Sequence, residues 1–319
     1  MNILITVGTG FVGSHMIDYI LQNQIDVKIY ATKRWMEDTK NLDHVDDERF
    51  QFIDCDLIDG MSVQRAVEIS KPNKVFHFAA QSFPEVSFKI PVITLQTNVI
   101  GTTHLFESIK DSRYNPTIVS ISSSEVYGNP NEDEIPITED NPIRPANPYS
   151  ISKVGHDLMS QYYHKAYGLK IITTRMFSHE GARRGKQFAL SSFAYQIAKN
   201  EKLKGDGVVK HGNLDSVRTY NHIEDAIQAY WLCSNSDKYG EVYNIGGDYT
   251  CKVGEALDML ISKSTKNHTK ELDPKRVRPT DITLQIPSSE KFRNEFGWRP
   301  QKSLTHICDD LLDYWRKNI

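Results

Sequence analysis

The stretch ITVGTGFVGSH, residues Ile5 to His15, decides the fold. It follows an apolar run and precedes an amphipathic segment, so it lies between a predicted strand and a predicted helix. Its glycines, Gly8, Gly10 and Gly13, match the pattern G-x-G-x-x-G. Glycines at this spacing permit a tight turn and the close approach of a pyrophosphate, whose charge is favoured by the helix N-terminus. The stretch therefore predicts a dinucleotide-binding turn.

Outward from this turn, short apolar runs alternate with amphipathic segments through the first half of the chain. The expected strands are 2–6, 26–32, 50–57, 74–80, 117–124 and 170–176, and the expected helices are 13–23, 62–70, 94–110 and 149–167. Nearly continuous Val, Ile and Phe is typical of strands that are buried on both faces. The pattern predicts an α/β fold, a doubly wound parallel sheet of the Rossmann type.

After residue 176 the alternation loosens, and loops rich in Gly, Arg and Asn separate the helices. We expect a dinucleotide-binding domain over residues 1–175, rejoined by about 218–246, and a smaller C-terminal α/β domain over 176–319. Ligands of such sheets bind beyond the carboxyl ends of the strands. The smaller domain is therefore expected to bind the substrate and to close over that edge.

Composition and charge narrow the class of protein. The 319 residues carry a formal net charge of -3, whereas a nucleic-acid-binding protein would show a basic surplus. No run approaches the ~18 apolar residues needed to cross a bilayer, and the chain enters its first strand without the features of a signal peptide. The four cysteines lack C-x-x-C spacing, which favours free thiols and a cytoplasmic location over disulfides or zinc. We expect no metal site.

A tyrosine and a lysine are the main candidate catalytic residues. In NPYSISK, Tyr149 and Lys153 are four residues apart and so share one face of a predicted helix. A nearby ammonium lowers the pKa of a phenol, whose phenolate can then accept or return the proton of a sugar hydroxyl. The spacing alone is common by chance. Here it follows a dinucleotide-binding turn and the serine-rich strand end SISSSEVYG.

These features together resemble the short-chain dehydrogenases/reductases, and more closely their extended branch, which modifies nucleotide sugars. Within that branch the chain is similar over its whole length to GDP-mannose 4,6-dehydratases and GDP-4-keto-6-deoxymannose reductases. AAQSFPEVSFKIP, FSHEGARRG and GNLDSVRTYNHIEDA resemble dehydratase motifs, whereas DPKRVRPTD, GWRPQ and DLLDYWRK look more like the reductases. These motifs are specific to the GDP-sugar group but do not distinguish its reactions.

The resemblance implies catalytic roles for four residues. Tyr149 would be the base at the C4 hydroxyl in oxidation or the acid in reduction, and Lys153 would hold the nicotinamide ribose and tune Tyr149. Ser123 stands where the branch has a Ser or Thr that hydrogen-bonds the same oxygen. Glu125 occupies the position of the dehydratases' base, which removes the C5 proton so that water leaves from C6. A solvated carboxylate at a strand end is an equal alternative for Glu125.

In this family the loop reads T-G-x-x-G-x-x-G, so Val7 stands where the first glycine is expected. Positive φ is unfavourable for a β-branched residue, and we expect Gly8 to take the turn conformation instead. The expected cofactor contacts are Gly8, Gly10, Phe11, Val12, Gly13, Thr32, Lys33, Arg34, Asp56, Leu57, Ala79, Ala80, Tyr149 and Lys153. The second strand ends in the stretch ATKR, residues 31–34, which contains no acid, and Lys33 and Arg34 align with a basic pair that binds NADP in the dehydratases. NADP is therefore favoured, while NAD stays open.

The expected contacts to the GDP-sugar are Gln81, Ser87, Ser123, His179, Arg184, Asn213, Arg218 and Arg278. The arginines suit the diphosphate because their planar fork binds phosphate oxygens in pairs. Besides Val7, three residues depart from the family pattern: Ser178 replaces an asparagine, Thr219 an aspartate, and Ser123 a threonine typical of dehydratases. The shorter Ser178 suggests a sugar bulkier than mannose at C6, such as a GDP-heptose.

The leading hypothesis is hydride transfer between a nicotinamide cofactor and C4 of a GDP-hexose or GDP-heptose, in either direction. The alternative is a GDP-mannose-type 4,6-dehydratase that recycles its own cofactor. A non-catalytic nucleotide-sensing protein is a remote third possibility, which the intact Tyr149 and Lys153 disfavour. The resemblance also implies a homodimer or homotetramer, because the helices around 98–110 and 149–167 pair with their copies in the family and carry apolar residues on more than one side.

Overall fold

The computed structural model describes residues 1–24, 26–278 and 280–319, which form two compact units. The first unit comprises Met1–Val126, Asn147–Arg175 and Ile227–Tyr243, and the second comprises Tyr127–Ala146, Met176–Ala226 and Asn244–Ile319. Residues 127–146, which the sequence analysis placed in the dinucleotide-binding domain, thus belong to the second unit. Their backbone explains this, because Ile137 forms a parallel bridge with Pro287 and donates its N–H to Ile286 at 2.8 Å.

The strands are β1 (Asn2–Thr6), β2 (Lys28–Lys33), β3 (Phe50–Asp54), β4 (Lys74–His77), β5 (Thr117–Ile121), β6 (Ile171–Met176), β7 (His179–Glu180), β8 (Gly207–His211), β9 (Val217–His222), β10 (Val242–Ile245), β11 (Tyr249–Lys252), β12 (His268–Leu272) and β13 (Leu284–Gln285). The helices are α1 (Phe11–Asn23), α2 (Gly60–Ser70), α3 (Pro84–Lys89), α4 (Pro91–Leu95), α5 (Gly101–Lys110), α6 (Pro148–Tyr167), α7 (Ala189–Glu201), α8 (Ile223–Ser234), α9 (Val253–Ser262), α10 (Glu290–Phe296) and α11 (Leu304–Lys317).

A seven-stranded sheet has the order β10-β6-β5-β4-β1-β2-β3. The pairings from β6 to β3 are parallel. Every residue of β4 and β6 is buried, as their continuous apolar runs predict. The strand order reverses at β1, because β2 lies on one side of it and β4 on the other. The predicted doubly wound parallel sheet is confirmed, and ligands of such sheets bind at this switch point.

Two helical segments border the expected active site. The helix expected over 94–110 is α4 followed by a π-helical turn, Gln96–Ile100, and then α5. Helix α6 begins at Pro148, which suits the first helical position because its missing N–H has no partner there. It ends at Gly168, whose φ of 70° closes the helix in the left-handed conformation.

The second unit is built around β9. This strand pairs with β11 in antiparallel fashion and with β13 and β7 in parallel fashion, while β8 and β12 form a separate parallel pair. Apolar residues from α7, α9 and α11 pack with buried Tyr220 and Cys251 into one core cluster. All four cysteines of the chain are free and buried.

Candidate active site

The turn after β1 differs from the sequence expectation at one residue. Val7, and not Gly8, has the positive φ, at 53°. The expectation for Gly8 is therefore wrong. The N–H of Val7 donates to the hydroxyl of Thr32 at 2.9 Å, and the N–H of Gly10 donates to the carbonyl of Val7 at 3.3 Å. These bonds hold a β-branched residue in a conformation that costs about 1–3 kcal/mol.

Packing explains the glycine at position 8. The N–H of Gly8 donates to the carbonyl of Thr32 at 3.0 Å, so the turn lies directly against β2. A Cβ on Gly8 would lie 2.4 Å from the Cβ of Ala31, and one on Gly13 would lie 2.4 Å from the carbonyl oxygen of Val7. Both glycines are required because strand, turn and helix approach too closely for any side chain.

The N-terminus of α1 fits the pyrophosphate of a dinucleotide. The N-cap residue is Gly10, which has no side chain to bind the first N–H groups of the helix. The first turn begins with Phe11 and Val12 and contains no acidic residue. With no acidic side chain in the first turn, the positive end of the helix dipole favours an anion at this place.

A pocket of about 550 Å³ lies where β2 and β3 end. It is lined by Arg34, Trp35, Met36, Glu37, Asp54, Cys55, Asp56, Asp59, Ser62 and Arg65. Arg34 and Asp56 are among the cofactor contacts expected from the sequence, whereas the other lining residues are not. Four carboxylates and two guanidinium groups line the pocket, so negative charge predominates.

Each basic residue that was predicted to bind a 2′-phosphate is paired with a carboxylate. The Nζ of Lys33 donates to Asp54 at 2.7 Å. Glu37 accepts the N–H of Arg34 at 2.8 Å, and its Oε2 lies 3.7 Å from the Nε of Arg34. The hydroxyl of Thr32, another predicted contact, is bound by Val7.

The remaining predicted cofactor residues lie at the ends of β3 and β4. Leu57 and Ala79 belong to a buried cluster against which Val7 packs. The N–H of Ala79 donates to the hydroxyl of Thr6 at 2.9 Å, and Ala80 is half-buried. Val7 therefore adds an isopropyl group to this side of the turn, where the family has a glycine.

Helix α6 holds Tyr149 and Lys153 at its N-terminal end, with both side chains buried. The Nζ of Lys153 donates to the carbonyl of Ile121, the last residue of β5, at 2.6 Å. Burial lowers the pKa of Lys153 from 10.5 to about 8. The N–H of Tyr149 donates to the hydroxyl of Ser87 at 3.1 Å. The pair is thereby held at the carboxyl end of β5.

Ser123 and Glu125 follow β5 directly. The hydroxyl of Ser123 accepts the N–H of Glu125 at 3.2 Å, which leaves the hydroxyl proton to be donated elsewhere. The Oε2 of Glu125 accepts a hydrogen bond from the Nδ2 of Asn147 at 2.9 Å. Asn147 was not among the predicted site residues.

Gln81 and Ser87 shape the segment that follows β4. The Oε1 of Gln81 accepts the N–H of Phe83 at 2.6 Å, and its Nε2 donates to Thr94 at 3.1 Å. The hydroxyl of Ser87 donates to the carbonyl of Pro84 at 2.6 Å as well as accepting from α6. Contact of either side chain with a sugar stays a prediction.

A buried polar network behind Lys153 was missed by the sequence analysis. The Nε2 of His77 and the Nδ1 of His156 lie 2.9 and 3.0 Å from the hydroxyl of Thr102, which donates to the carbonyl of Asn98. Because a hydroxyl has one proton, both rings must donate to Thr102. Burial and the charge of Lys153 lower the pKa of His77 to about 3 and that of His156 well below 6.5, so both rings are neutral.

In the second unit, Asp281 lies beside three residues that were predicted to contact the nucleotide. The Nδ2 of Asn213 donates to Asp281 at 2.9 Å, and the nearest guanidinium nitrogens of Arg218 and Arg278 lie 3.9 and 4.0 Å from its Oδ1. Asp281 was missed although the motif VRPTD places it beside Arg278. These residues combine two cationic forks with one acceptor, a set that suits a phosphate next to a ribose hydroxyl.

His179 and Arg184 form a second group around Glu180. The guanidinium of Arg184 stacks 3.6 Å above the ring centroid of Phe188, and its Nε lies 3.6 Å from Glu180. Burial raises the pKa of Glu180 to about 7. Burial and the charge of Arg184 lower the pKa of His179 to about 3, so this ring is neutral.

The departure at position 219 has a structural reason. Thr219 is buried, and its hydroxyl lies 2.6 Å from the hydroxyl of Thr250 on the neighbouring strand β11. This neutral cross-strand pair replaces the charged group that the family places there. Nothing in the structure explains Ser178.

Among the described residues, His222, Glu224 and Asp310 form the one group with metal-ligand spacing. The Nδ1 of His222 accepts the N–H of Glu224 at 3.2 Å, so the ring proton is on Nε2, which lies 2.9 Å from Asp310. Neither nitrogen keeps a free lone pair. The group therefore does not fit a metal ion, which binds the neutral ring through such a lone pair.

Comparison with known proteins decides the family. Residues 4–311 match the family described as GDP-mannose 4,6 dehydratase. The chain belongs to this family. It is 31% identical to dTDP-glucose 4,6-dehydratase of Haemophilus influenzae, with 94% of each chain covered. It is 27% identical to GDP-6-deoxy-D-mannose reductase of Pseudomonas aeruginosa, with 78% of this chain and 82% of the relative covered.

Two solved structures share the fold. The dTDP-glucose 4,6-dehydratase of Bacillus anthracis in complex with NAD has a TM-score of 0.85 and 26% identity, and the alignment covers 100% of this chain and 97% of that one. The protein RMD of Pseudomonas aeruginosa, complexed with NADPH, has a TM-score of 0.82 and 23% identity over 100% of both chains. Across the described ranges, we find no helix with the length and apolar character of a membrane span.

Proposed function

We propose that this member of the family transfers hydride between a nicotinamide cofactor and C4 of a GDP-hexose or GDP-heptose. One observation carries the proposal: Lys153 is buried and hydrogen-bonded to the end of β5, with Tyr149 one turn away and Ser123 two residues beyond that strand end. The glycine turn of the same sheet fits a dinucleotide. Membership of a nucleotide-sugar family supports the class of substrate.

Tyr149, Lys153 and Ser123 would handle the proton of the C4 hydroxyl. The cofactor, when bound, supplies a hydride acceptor or donor. In oxidation the Tyr149 phenolate accepts the hydroxyl proton, and in reduction the phenol returns it. Lys153 is an ammonium below about pH 8 and stabilises the phenolate, while Ser123 donates a hydrogen bond to the C4 oxygen.

For the cofactor we propose NAD, although the basic pair after β2 favours NADP on sequence grounds. A 2′-phosphate would have to displace Asp54 from Lys33, and at Arg34 it would meet the Glu37 carboxylate, which lies 3.7 Å from the guanidinium. It would also add negative charge to a pocket whose lining already carries more carboxylates than guanidinium groups. A free 2′-hydroxyl adds no charge and can donate to one of these carboxylates.

The cofactor proposal is tested by titrating the apoprotein with NAD⁺ and NADP⁺ in a calorimeter. We expect NAD⁺ to bind at least about tenfold more tightly, a difference of roughly 1.4 kcal/mol. Glu37→Gln should reduce the ratio of the NADP⁺ and NAD⁺ dissociation constants, because it removes the carboxylate beside Arg34. Glu48→Gln should leave the ratio unchanged, because Glu48 is exposed and lies outside the pocket lining. Tighter binding of NADP⁺ to the unaltered protein would refute the proposal.

The second candidate reaction is 4,6-dehydration with internal recycling of the cofactor. It is favoured by the contact between Glu125 and Asn147, which supplies an oriented carboxylate beside the proposed C4 base. The substrate nucleotide would be held in the second unit by Arg218, Arg278 and Asn213. Their grouping around Asp281 supports this assignment without identifying the base.

One assay separates the two reactions. The protein is incubated with GDP-mannose, a GDP-manno-heptose or dTDP-glucose, and both nicotinamide absorbance and product mass are followed. A net absorbance change indicates C4 oxidoreduction, whereas loss of water without it indicates dehydration. Turnover of dTDP-glucose alone would refute the GDP assignment, and a clear preference for GDP-mannose would refute the heptose.

The proposed role of Tyr149 predicts the effect of Tyr149→Phe in the same assay. We expect kcat to fall about 10²–10⁴-fold, the usual contribution of a general base, with cofactor affinity unchanged. Tyr167→Phe is the matched control, because Tyr167 is the last residue of the same helix and its side chain is exposed. Equal activity of the two variants would remove Tyr149 from the mechanism.

We also propose that the protein is a homo-oligomer, because helices of the first unit expose apolar side chains to solvent. Ile151, Leu158 and Tyr162 of α6 are each about half exposed, and Val92 and Ile93 of α4 are exposed too. The three α6 residues are spaced by seven and four, so they lie along one stripe of the helix. A second copy of the chain would cover this stripe.

A further inference from the structure

We infer that Asn147 is a positioning residue: its side-chain amide orients the Glu125 carboxylate for removal of the sugar's C5 proton. The inference rests on the second candidate reaction proposed above, 4,6-dehydration, in which the C5 proton is removed once oxidation of C4 to a ketone has made it acidic. It assigns Asn147 a role in the proton-transfer step and explains why this residue is an asparagine.

The amide of Asn147 is fixed by two opposed hydrogen bonds. Its Oδ1 accepts the N–H of Ser150 at 2.8 Å, which caps α6, and its Nδ2 donates to the Oε2 of Glu125 at 2.9 Å. Asn147 is 7% exposed, and its own N–H donates to the hydroxyl of Ser150 at 2.9 Å. Because a helix N–H can only donate and a carboxylate only accepts, rotation of the amide would break both bonds.

The same cap ties two proposed catalytic groups together. Tyr149 lies two residues after Asn147, within the first turn of a helix of 20 residues. The carboxylate of Glu125 is therefore anchored to the helix end that carries the proposed C4 base. The positive end of the helix dipole also favours an anion at this place. Glu125 is thus held as an oriented proton acceptor.

The chemistry explains why the residue is asparagine. Serine can accept a helix N–H as a cap but lacks the amide N–H group that donates to Glu125. Aspartate also caps, but its second oxygen would place a negative charge against the Glu125 carboxylate. Asparagine offers the acceptor and the donor at once. Asn147→Ser and Asn147→Asp therefore keep the cap and remove only the contact with Glu125.

The test measures two steps in the complete enzyme with bound cofactor. Proton transfer is followed as incorporation of deuterium at C5 of the nucleotide sugar in D₂O, and hydride transfer at C4 as the transient nicotinamide absorbance of a single turnover. We expect C5 exchange to fall about 10–100-fold in Asn147→Ser, the usual loss for a hydrogen bond to a charged group, and further in Asn147→Asp. Hydride transfer at C4 and the thermal midpoint should stay close to those of the wild type.

A double-mutant cycle shows whether Asn147 acts through Glu125. Glu125→Gln should abolish C5 exchange, and adding Asn147→Ser to it should change nothing more. Equal losses of hydride transfer and exchange in Asn147→Ser would overturn the inference, because they would indicate a structural role only. Hydride transfer without any C5 exchange in the wild type would overturn it while leaving the C4 reaction standing.

A substrate-free measurement separates failure of the inference from failure of the proposed function. The side-chain ¹⁵N–H₂ resonances of Asn147, assigned by their loss in Asn147→Ser, should shift in Glu125→Gln. If these resonances do not shift, the contact is absent, and the inference is wrong even if the protein turns over a nucleotide sugar. If they move but no nucleotide sugar is turned over, the proposed function falls, and with it the assigned step.

Discussion

At the scale of single residues, the glycine turn shows how neighbours decide which residue bears strain. Val7 adopts a φ of 53°, which a β-branched residue normally avoids. It does so because Thr32 binds its N–H and because Gly13 allows α1 to pass within contact of its carbonyl. The glycine at position 8 is needed for a different reason, the close approach of β2. Strain and close packing thus fall on adjacent residues.

Gly8→Ala is predicted to disrupt this turn. The new Cβ would lie 2.4 Å from Ala31 and 3.1 Å from Ile17, and neither strand nor helix can yield without moving the sheet. We expect a loss of about 1–3 kcal/mol in the free energy of unfolding, the usual cost of overpacking, and weaker cofactor binding. Urea denaturation and calorimetric titration with NAD⁺ measure the two effects.

Gly60→Ala is the control for that prediction. A Cβ on Gly60 would meet its nearest neighbour, His104, at 3.4 Å, which is ordinary contact. Gly60 is the first residue of α2, and alanine there should leave stability unchanged or slightly raised. If both alanine variants behave alike, close packing is not the reason for glycine at position 8.

At the scale of elements, α6 links chemistry to the sheet through its buried face. Lys153 reaches the end of β5, and one turn later His156 joins His77 of β4 through the hydroxyl of Thr102 on α5. The two imidazoles stack with centroids 5.2 Å apart. Such a network stabilises the fold only while both rings are neutral, because none of their hydrogen-bond partners is an acid that could compensate a buried positive charge.

The neutral histidines predict a loss of stability in mild acid. Their folded pKa values lie below the unfolded value of 6.5, at about 3 for His77 and well below 6.5 for His156. Above pH 6.5 both states are neutral and nothing is lost. Below pH 6.5 the two imidazoles are protonated in the unfolded chain but stay neutral in the folded protein. Each histidine therefore lowers the free energy of unfolding by up to about 1.4 kcal/mol per pH unit.

Denaturation by urea at pH 7, 6 and 5 measures this slope. His156→Gln should make the slope shallower, even if the variant is less stable at pH 7. His44→Gln replaces an exposed histidine and should leave the slope close to that of the wild type. An unchanged slope in His156→Gln would contradict the assignment of a neutral buried ring.

At the scale of the whole molecule, the exposed apolar stripe on α6 and α4 predicts self-association. Leu158→Glu places a charge in the middle of that stripe, where it would be buried by a second copy of the chain. We expect light scattering after size exclusion to show a smaller species with unchanged circular dichroism. Ile69→Glu, at an exposed position of α2, is the matched control and should leave the mass unchanged. Equal masses for all three proteins would contradict the proposed interface.

The sequence predicted the fold well because its signal is local. Continuous apolar runs between amphipathic segments indicate buried parallel strands, and all six strands expected in the first half are present with slightly different bounds. The single helix expected over 94–110 is interrupted by a π-helical turn, which apolar periodicity does not reveal. The position of 127–146 was also missed, because it depends on pairing with residues more than a hundred positions away.

The motifs of the site were readable in the sequence for the same reason. The glycine turn, Tyr149 and Lys153 are short patterns whose spacing carries their meaning. Their partners were not: Asn147, Asp281 and the histidine pair are recognised only by what lies beside them in space. Whether Lys33 is free to bind a phosphate likewise depends on Asp54, a carboxylate of the neighbouring strand β3.

By itself, then, the sequence determined the class of fold, the family and the residue types of the site, because each is encoded in contiguous stretches. Only the tertiary structure decided that Val7 bears the positive φ, that Asp54 pairs with Lys33, and that Asn147 binds Glu125. The physical reason is that strain, charge and hydrogen bonding act over a few ångströms in space. Residues far apart in the chain share those few ångströms only after it has folded.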